Sequence, residues 1–364
     1  MEMIAAIRSI KEKMTGGNTG KPFLALDMGS DSVKIVQLEK DGQQQTIKNI
    51  LYESRPDSSR EITENEAIKR IVNKSGIKTD HTITTLPSRE INEKFFRLHS
   101  TARDKLENIL KWEVKKHINY PIEEAVYDYN TVSVNGTDEL SVHLAITRRD
   151  MIINKIRSLT EAGFSMSAIE TESRAIRRIV TANYDTDGTL AGVVNLGSSS
   201  STFIIMESGE LRFCRDMDVI GEDIDKAISK MLHVDREEAE IAKREIGLDR
   251  MVMEGSESEP SSVRYNVYSA IESQIDRLIA EINQSMHFYG IQSETDSSLD
   301  RLFVTGGNSL IPNLIPFMQG KLNTETVLFD PADFYAEPGA EPGKVKESLA
   351  QFTVAIGLGL RGLV

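Results

Sequence analysis

The sequence predicts an α/β protein of two lobes closing on a nucleotide, and three observations carry that prediction. An apolar strand, a tight polar turn and a second strand run through residues 21–38, with Leu26-Asp27-Met28-Gly29-Ser30-Asp31-Ser32-Val33-Lys34 at the centre. The pattern returns at 191–206, where Asn195-Leu196-Gly197-Ser198-Ser199-Ser200 forms the turn. A third strand, Arg301-Leu302-Phe303-Val304-Thr305, runs into the bend Gly306-Gly307-Asn308-Ser309. In the first two turns Gly-Ser sits two residues after a carboxylate or amide, presenting backbone N–H groups and hydroxyls as a concave cluster suited to phosphate oxygens. Two such clusters facing each other grip a polyphosphate from both sides.

The elements follow in order. Residues 1–14 read as a short amphipathic helix, with Met3, Ile4, Ile7 and Met14 apolar, and 15–20 as a flexible linker; a frayed leader is favoured over a lipid or partner contact. A helix is expected over 64–75 on the spacing of Ala67, Ile68, Ile71 and Val72, then a strand over 82–87 and another through 95–98. Leu106, Ile109, Leu110, Val114 and Ile118 mark a helix closed by Tyr120-Pro121. Strands at 127–132 and 141–146 pair through Asn135-Gly136, and a helix over 151–162 closes the segment. Beyond the second turn come helices over 221–232 and 236–246, a polar loop over 251–260, and a long helix marked by Ile271, Ile275, Leu278 and Ile282. A helix over 311–318, a mobile Pro/Gly-rich loop over 331–343 and an apolar helix over 349–360 complete the chain. Gly357 and Gly359 in that last helix permit close backbone approach. The expected division is a leader at 1–20; a first lobe from 21–88, 165–188 and 345–364; an inserted α/β subdomain at 89–164; and a second lobe at 189–344 with a helical subdomain at about 222–298.

Composition bounds the chemistry. The 364 residues, 39% apolar and 27% charged, suffice for two sizeable cores. A formal net charge of −13 argues against sequence-independent nucleic-acid binding. The single cysteine, Cys214, excludes an intrachain disulfide, fits a reducing compartment and reads as a buried structural thiol. Six scattered histidines offer no metal-ligand spacing. No run approaches the roughly 18–20 apolar residues of a membrane span and no signal-peptide pattern opens the chain, so a cytoplasmic protein is expected.

Each motif has a functional and a plain reading. Asp27, at the end of a buried strand, is placed to orient a hydrated Mg²⁺, and Lys34 to reach phosphates; a hairpin with a solvated Asp and Lys is the alternative. The run from Ser198 to Ser201 reads as anion-facing rather than as a flexible loop. Gly306 and Gly307 let backbone lie flat against a base or ribose, or simply make a tight turn. In Ala239-Glu240-Ile241-Ala242-Lys243, Glu240 and Lys243 share a helix face, either as a carboxylate for ribose hydroxyls with an ammonium beside it or as a surface ion pair. Residues 15–22 are no P-loop, since Pro22 replaces the Ser/Thr.

Taken in order, these motifs resemble the actin-like ATPase superfamily, and within its FtsA/PilM branch the PilM family of type IV pilus assembly, over about 21–364. The likeness is carried by the Asp27–Lys34 turn, by Trp112-Glu113-Val114-Lys115-Lys116-His117-Ile118-Asn119-Tyr120-Pro121-Ile122-Glu123-Glu124, and by Val354-Ala355-Ile356-Gly357-Leu358-Gly359-Leu360-Arg361-Gly362. The resemblance implies duplicated RNase H-like cores with ATP and Mg²⁺ in the cleft between them. It implies nucleotide contacts at Asp27, Gly29, Ser30, Asp31, Ser32, Lys34, Gly197, Ser198, Ser199, Glu240, Lys243, Gly306, Gly307 and Asn308, with Mg²⁺ held through Asp27 and Asn195. It further implies that the insert and the first lobe form a groove for the short cytoplasmic N-terminus of a PilN-like inner-membrane protein. Through this and other pilus platform proteins the chain would sit at the inner face of the inner membrane. Phe95, Phe96 and Trp112 are read as core residues first and groove residues second. Two departures stand out. Asn195 occupies a position where the superfamily usually has Asp, so Mg²⁺ should be held less firmly and rapid hydrolysis is not expected. Glu172 best fits the register of the water-positioning catalytic residue, with Glu170 second; a helix-terminal carboxylate is the plain reading of either. The rival readings are an FtsA-like filament protein of cell division, a sugar-kinase-type enzyme, for which the insert offers only Asp128, and a type II secretion module without a working site. Asp27, Lys34, Gly306 and Gly307 argue against the last.

Overall fold

The computed structural model describes residues 23–41, 44–54, 66, 68–70, 73, 77, 81–134, 137–249, 262–293, 298–335 and 348–363. The leader and linker at 1–20, most of the 64–75 helix, the Asn135-Gly136 turn, the 251–260 loop and the 336–343 part of the Pro/Gly-rich segment lie outside them. Leu24, Ala25 and Leu26 are fully buried, as an unbroken apolar run demands of a strand covered on both faces. They form β1 (Leu24–Met28), followed by β2 (Ser32–Asp41), β3 (Gln44–Ser54) and β4 (Thr82–Thr85). Next come β5 (Ile91–His99), α1 (Leu106–His117), β6 (Ala125–Ser133), β7 (Glu139–Arg148) and α2 (Arg149–Glu161). The chain then returns through β8 (Met166–Glu170) and α3 (Glu172–Asn183). β1 runs antiparallel to β2 and parallel to β4, giving the sheet order β3-β2-β1-β4-β8.

The second half repeats this plan. It consists of β9 (Leu190–Leu196), β10 (Ser201–Glu207), β11 (Glu210–Met217), α4 (Gly221–Leu232), α5 (Arg236–Ile246), α6 (Val263–Ser293), β12 (Arg301–Thr305), α7 (Leu314–Leu322), β13 (Glu325–Leu328) and α8 (Thr353–Leu360). Its sheet order, β11-β10-β9-β12-β13, is again an antiparallel meander of three strands extended by two parallel ones. Helices α3 and α8 lie between the sheets, where Ala175, Ile176, Ile179, Ala355, Ile356 and Leu358 join Ala25 and Ile83 of one sheet to Val193 and Phe303 of the other. The close approach requires Gly357, because a Cβ there would lie 2.2 Å from the Ala175 carbonyl oxygen.

Four expectations need correction. The 311–318 helix starts only at Leu314, because Pro312 pushes Ile311 to an extended ψ of 123°. The last helix starts at Thr353, after a 3₁₀ turn over Ala350–Phe352. The helix α2 serves the first sheet as well as the insert: Leu159 of α2, with Ala162 and Phe164 beyond it, clusters with Leu24, Leu26, Val33 and Ile35, while the helix also meets β7. The insert proper is the β5-β7-β6 sheet covered by α1, through Leu106, Leu110 and Val114. Trp112 is not core. It is 61% exposed, since the i, i+4 row of Leu106, Leu110 and Val114 faces inward and position 112 falls on the opposite side. Phe96 does pack against the insert's core, and Phe95 stacks on His143 with ring centroids 4.5 Å apart.

Candidate functional site

The two Gly-Ser turns share a hydrogen bond and a register. Gly29 N–H donates to the Ser32 carbonyl at 2.9 Å, and Gly197 N–H donates to the Ser200 carbonyl at 3.1 Å. Register is equivalent too: Met28 faces Val33 and Leu196 faces Ser201 across their hairpins. The turns open into one cavity of about 520 Å³. Asp27, Gly29, Ser30, Asp31, Ser32, Lys34, Glu172, Asn195, Gly197, Ser198, Ser199, Glu240, Lys243, Gly306, Gly307 and Asn308 all lie on its wall. Asp128 does not; it lines a separate cavity and is no part of this site.

One register position accounts for the departure at Asn195. Asp27 pairs across its hairpin with Lys34, whose Nζ is 3.4 Å from the carboxylate, whereas Asn195 pairs with Thr202, a buried residue. The second hairpin lacks both members of the ion pair, so neither charge is left alone.

The second turn is held from behind by residues the motif reading did not single out. At the start of α4, Gly221 N–H donates to the Gly197 carbonyl and Glu222 N–H to the Ser198 carbonyl, both at 2.9 Å. A Cβ on Gly221 would lie 2.0 Å from Asn308 Nδ2, so only glycine lets the helix start there. Asn308 Nδ2 donates to the same Gly197 carbonyl at 3.2 Å, and Lys243 Nζ donates to Asn308 Oδ1 at 2.8 Å. Lys243 is buried and also pairs with the buried Asp225 at 2.5 Å. Its supposed mate Glu240 instead pairs with Arg244 at 2.8 Å on the rim, so the two residues have separate tasks. Asp225 was legible only as an acid among the apolar inward positions of α4. Gly306 has φ +91°, and a Cβ on it would lie 2.5 Å from Asn195 Oδ1; at Gly307 the nearest atom to a Cβ is 4.0 Å away. The first glycine is needed by the fold, and the second leaves room against the cavity.

The donor set suits Mg²⁺. Asn195 Nδ2 donates to Glu172 Oε1, which leaves the amide oxygen as acceptor alongside the Asp27 carboxylate. Few, hard oxygen donors match an ion that keeps most of its waters and takes the rest of its shell from phosphates.

Comparison with known proteins decides the family. The family model described as type IV pilus assembly protein PilM matches residues 25–363. The chain belongs to that family. Among solved structures it is similar to a PilM-PilN type IV pilus biogenesis complex, with TM-score 0.77 and 20% identity over 94% of this chain and 98% of the other. It is also similar to the ethanolamine utilization protein EutJ from Carboxydothermus hydrogenoformans, with TM-score 0.53 and 12% identity over 93% and 89%. A curated relative, cell division protein FtsA of Bacillus subtilis strain 168, is 21% identical over 246 residues, which is 60% of this chain. The chain spans 54% of that relative's length. The fold of this PilM-family chain is actin-like, and no helix among its described residues is long and apolar enough to cross a membrane.

Electrostatics separate the two candidate glutamates of this PilM-family site. Glu170 is buried, but bonds from Arg178 at 2.6 and 2.8 Å and the nearby Arg361 and Arg174 overcome the burial and hold its carboxyl below the usual range. It ties α3 to the end of α8. Glu172 faces the cavity, and burial pushes it up to about 7, with Asp27, Asp216 and Glu93 adding to the rise and the Asn195 bond opposing it. The folded state therefore holds a proton that the unfolded chain gives up near 4.5. That contribution to stability is complete below pH 4.5 and is lost as pH rises through about 7. Glu172→Gln is expected to stabilise the protein by about 1–2 kcal/mol at pH 8 and by little at pH 4.5. Urea midpoints at both pH values check this, and an equal shift at both would refute the titration.

A second cavity of about 130 Å³ lies between the insert sheet and the first sheet. Val126, Tyr127, Tyr129, Ile146 and Ile152 make it largely apolar, with Arg174 and Arg361 at its side. The two cavities share a connection. Ser173, next to Glu172, donates to Glu93 Oε2 at 2.6 Å, and His143, on the second cavity's wall, bonds the same oxygen at 2.6 Å.

Proposed function

We propose that this protein is an ATP-binding scaffold of the type IV pilus assembly platform, in which nucleotide state sets the affinity for an extended cytoplasmic peptide at the N-terminus of a PilN-like inner-membrane protein. The single observation that carries the nucleotide half is the pair of turns with the same hydrogen bond and register lining one cavity. Backbone N–H groups and serine hydroxyls of both turns bind the phosphates, Lys34 adds charge, and the open face at Gly307 receives the nucleoside. Asp27 and Asn195 would hold Mg²⁺, which when bound would neutralise phosphate charge. Glu172 is placed to orient a water. Its carboxyl, pushed up to about 7, is about half protonated near neutral pH, and slow turnover at most is expected from the neutral Asn195 amide in place of a second carboxylate at the ion.

The peptide half rests on the second cavity. An extended segment presents alternate side chains, and an apolar pocket with two guanidiniums at its side accepts one of them while the arginines bind main-chain carbonyls or an acidic neighbour. The run Glu172-Ser173 on α3, with Glu93 and His143, carries a shift at one cavity to the other. Membrane association then follows from the tethered partner. Linkage requires that each ligand change the other's affinity by the same factor.

Titration of a synthetic peptide from the cytoplasmic N-terminus of a PilN-like protein, with and without saturating Mg²⁺-ATP, tests the reading. The peptide dissociation constant is expected to change at least threefold, with a matching change in the ATP constant when peptide is saturating. Tyr129→Asp is expected to weaken the peptide about tenfold, the loss of one exposed aromatic side chain on the pocket wall. Identical peptide affinity with and without nucleotide would dismiss the coupling.

A further inference from the structure

The two phosphate-type turns differ in one respect: Gly29-Ser30-Asp31-Ser32 carries a carboxylate where Gly197-Ser198-Ser199-Ser200 has a hydroxyl. Asp31 is the only charged side chain in either turn, and it stands on the wall of the cavity that both turns line. Its carboxylate is already bound. Ser198, from the opposite turn, donates to Asp31 Oδ2, and Arg236 Nη2 donates to the same oxygen at 2.7 Å and lies 3.3 Å from the Ser198 hydroxyl. One carboxylate oxygen thus gathers a guanidinium and a hydroxyl from across the cleft, as a phosphate oxygen would. The position of Arg236 points the same way. It is the first residue of α5, where the helix dipole disfavours a cation, and its charge is favoured there by Asp31 first and by Glu222 and Asp225 after it.

We infer that Asp31 is a built-in phosphate mimic: it occupies Arg236 and Ser198 while the site is empty, and a polyphosphate must displace it. The inference rests on the nucleotide reading above and adds to it a regulation of that site. An incoming terminal phosphate takes over Arg236 and the Ser198 hydroxyl, and the Asp31 carboxylate is released to water. The exchange sets the affinity threshold for triphosphate, and because Asp31, Ser198 and Arg236 come from three separate elements, it also reports phosphate occupancy across the cleft.

The test is a set of dissociation constants for Mg²⁺-ATP, Mg²⁺-ADP and AMP, measured by calorimetry on wild type, Asp31→Ser, Asp31→Asn and Asp31→Ser with Arg236→Ala. Removing the internal competitor is expected to tighten ATP about tenfold, ADP less, and AMP less than twofold. Asp31→Asn keeps the side chain's shape and is expected to behave like Asp31→Ser. Adding Arg236→Ala is expected to cancel most of the gain, since the guanidinium then has no phosphate to meet. An ATP-to-AMP affinity ratio that stays within twofold of wild type in both Asp31 variants would overturn the inference alone. So would a gain that survives Arg236→Ala. Failure of ATP to bind wild type and Asp31 variants alike would remove the nucleotide reading and this inference together.

Discussion

Lys243→Met is expected to cost about 3–5 kcal/mol of folding stability, the usual penalty for leaving half of a buried ion pair behind. Lys243 and Asp225 are each only 4% exposed, so the abandoned carboxylate has no access to bulk water. Burial already pushes the Asp225 carboxyl up despite the ammonium beside it, and loss of Lys243 removes the group that opposes that rise. The damage extends to the cavity. Lys243 orients Asn308, and Asn308 donates to the Gly197 carbonyl, so the second anion turn loses part of its support. Lys243→Met with Asp225→Leu should recover most of the stability, because two apolar side chains replace two charges. It should recover less of the ATP affinity, because Asn308 remains unheld. Urea unfolding and ATP calorimetry on the single and double variants separate these effects. A double variant as unstable as the single would mean that the cost is packing rather than unpaired charge.

Asp27→Ala is expected to weaken Mg²⁺-ATP binding on the order of 30-fold, about 2 kcal/mol for a charge-assisted contact to a metal-bound water. Its dependence on the ion is the sharper test. In wild type the Asp27 carboxylate partly neutralises Lys34 at 3.4 Å and repels free phosphate oxygens. Removing it leaves an ammonium facing the turn, so ATP without Mg²⁺ should bind the variant as well as it binds wild type, or better. Lys34→Ala should weaken ATP under both conditions. The fold should survive each change, since both side chains reach the cavity. A loss for Asp27→Ala that is the same with and without Mg²⁺ would show that the carboxylate does not serve the ion.

Much of this architecture was legible along the chain because it is written in local patterns. Turn residues, strand alternation and helical spacing are properties of a few neighbouring residues, and α4, α5 and β12 have the boundaries that spacing predicts. Errors arose where a neighbour or a distant surface overrode the pattern. Pro312 delayed α7, and the first sheet shares α2 with the insert. Trp112 was misplaced because its size suggested burial, while its helix phase, equally visible in the sequence, placed it outside.

The site divides the same way. Every residue assigned to it from motifs stands on one cavity, yet the residues that hold those motifs in place were silent in the sequence. Gly221, Asp225 and Arg236 act through contacts spanning between 18 and 205 positions, and no local pattern marks a partner so far away. By itself the sequence determined the duplicated strand-turn-strand units, their polar turns and the family to which the chain belongs, since each depends on the order of nearby side chains. Only the tertiary structure decided that Glu170 is a structural anchor while Glu172 is a cavity acid, and that Asp31 bonds Ser198 and Arg236. Those distinctions depend on which charges lie within a few ångströms in space and on how much water remains between them.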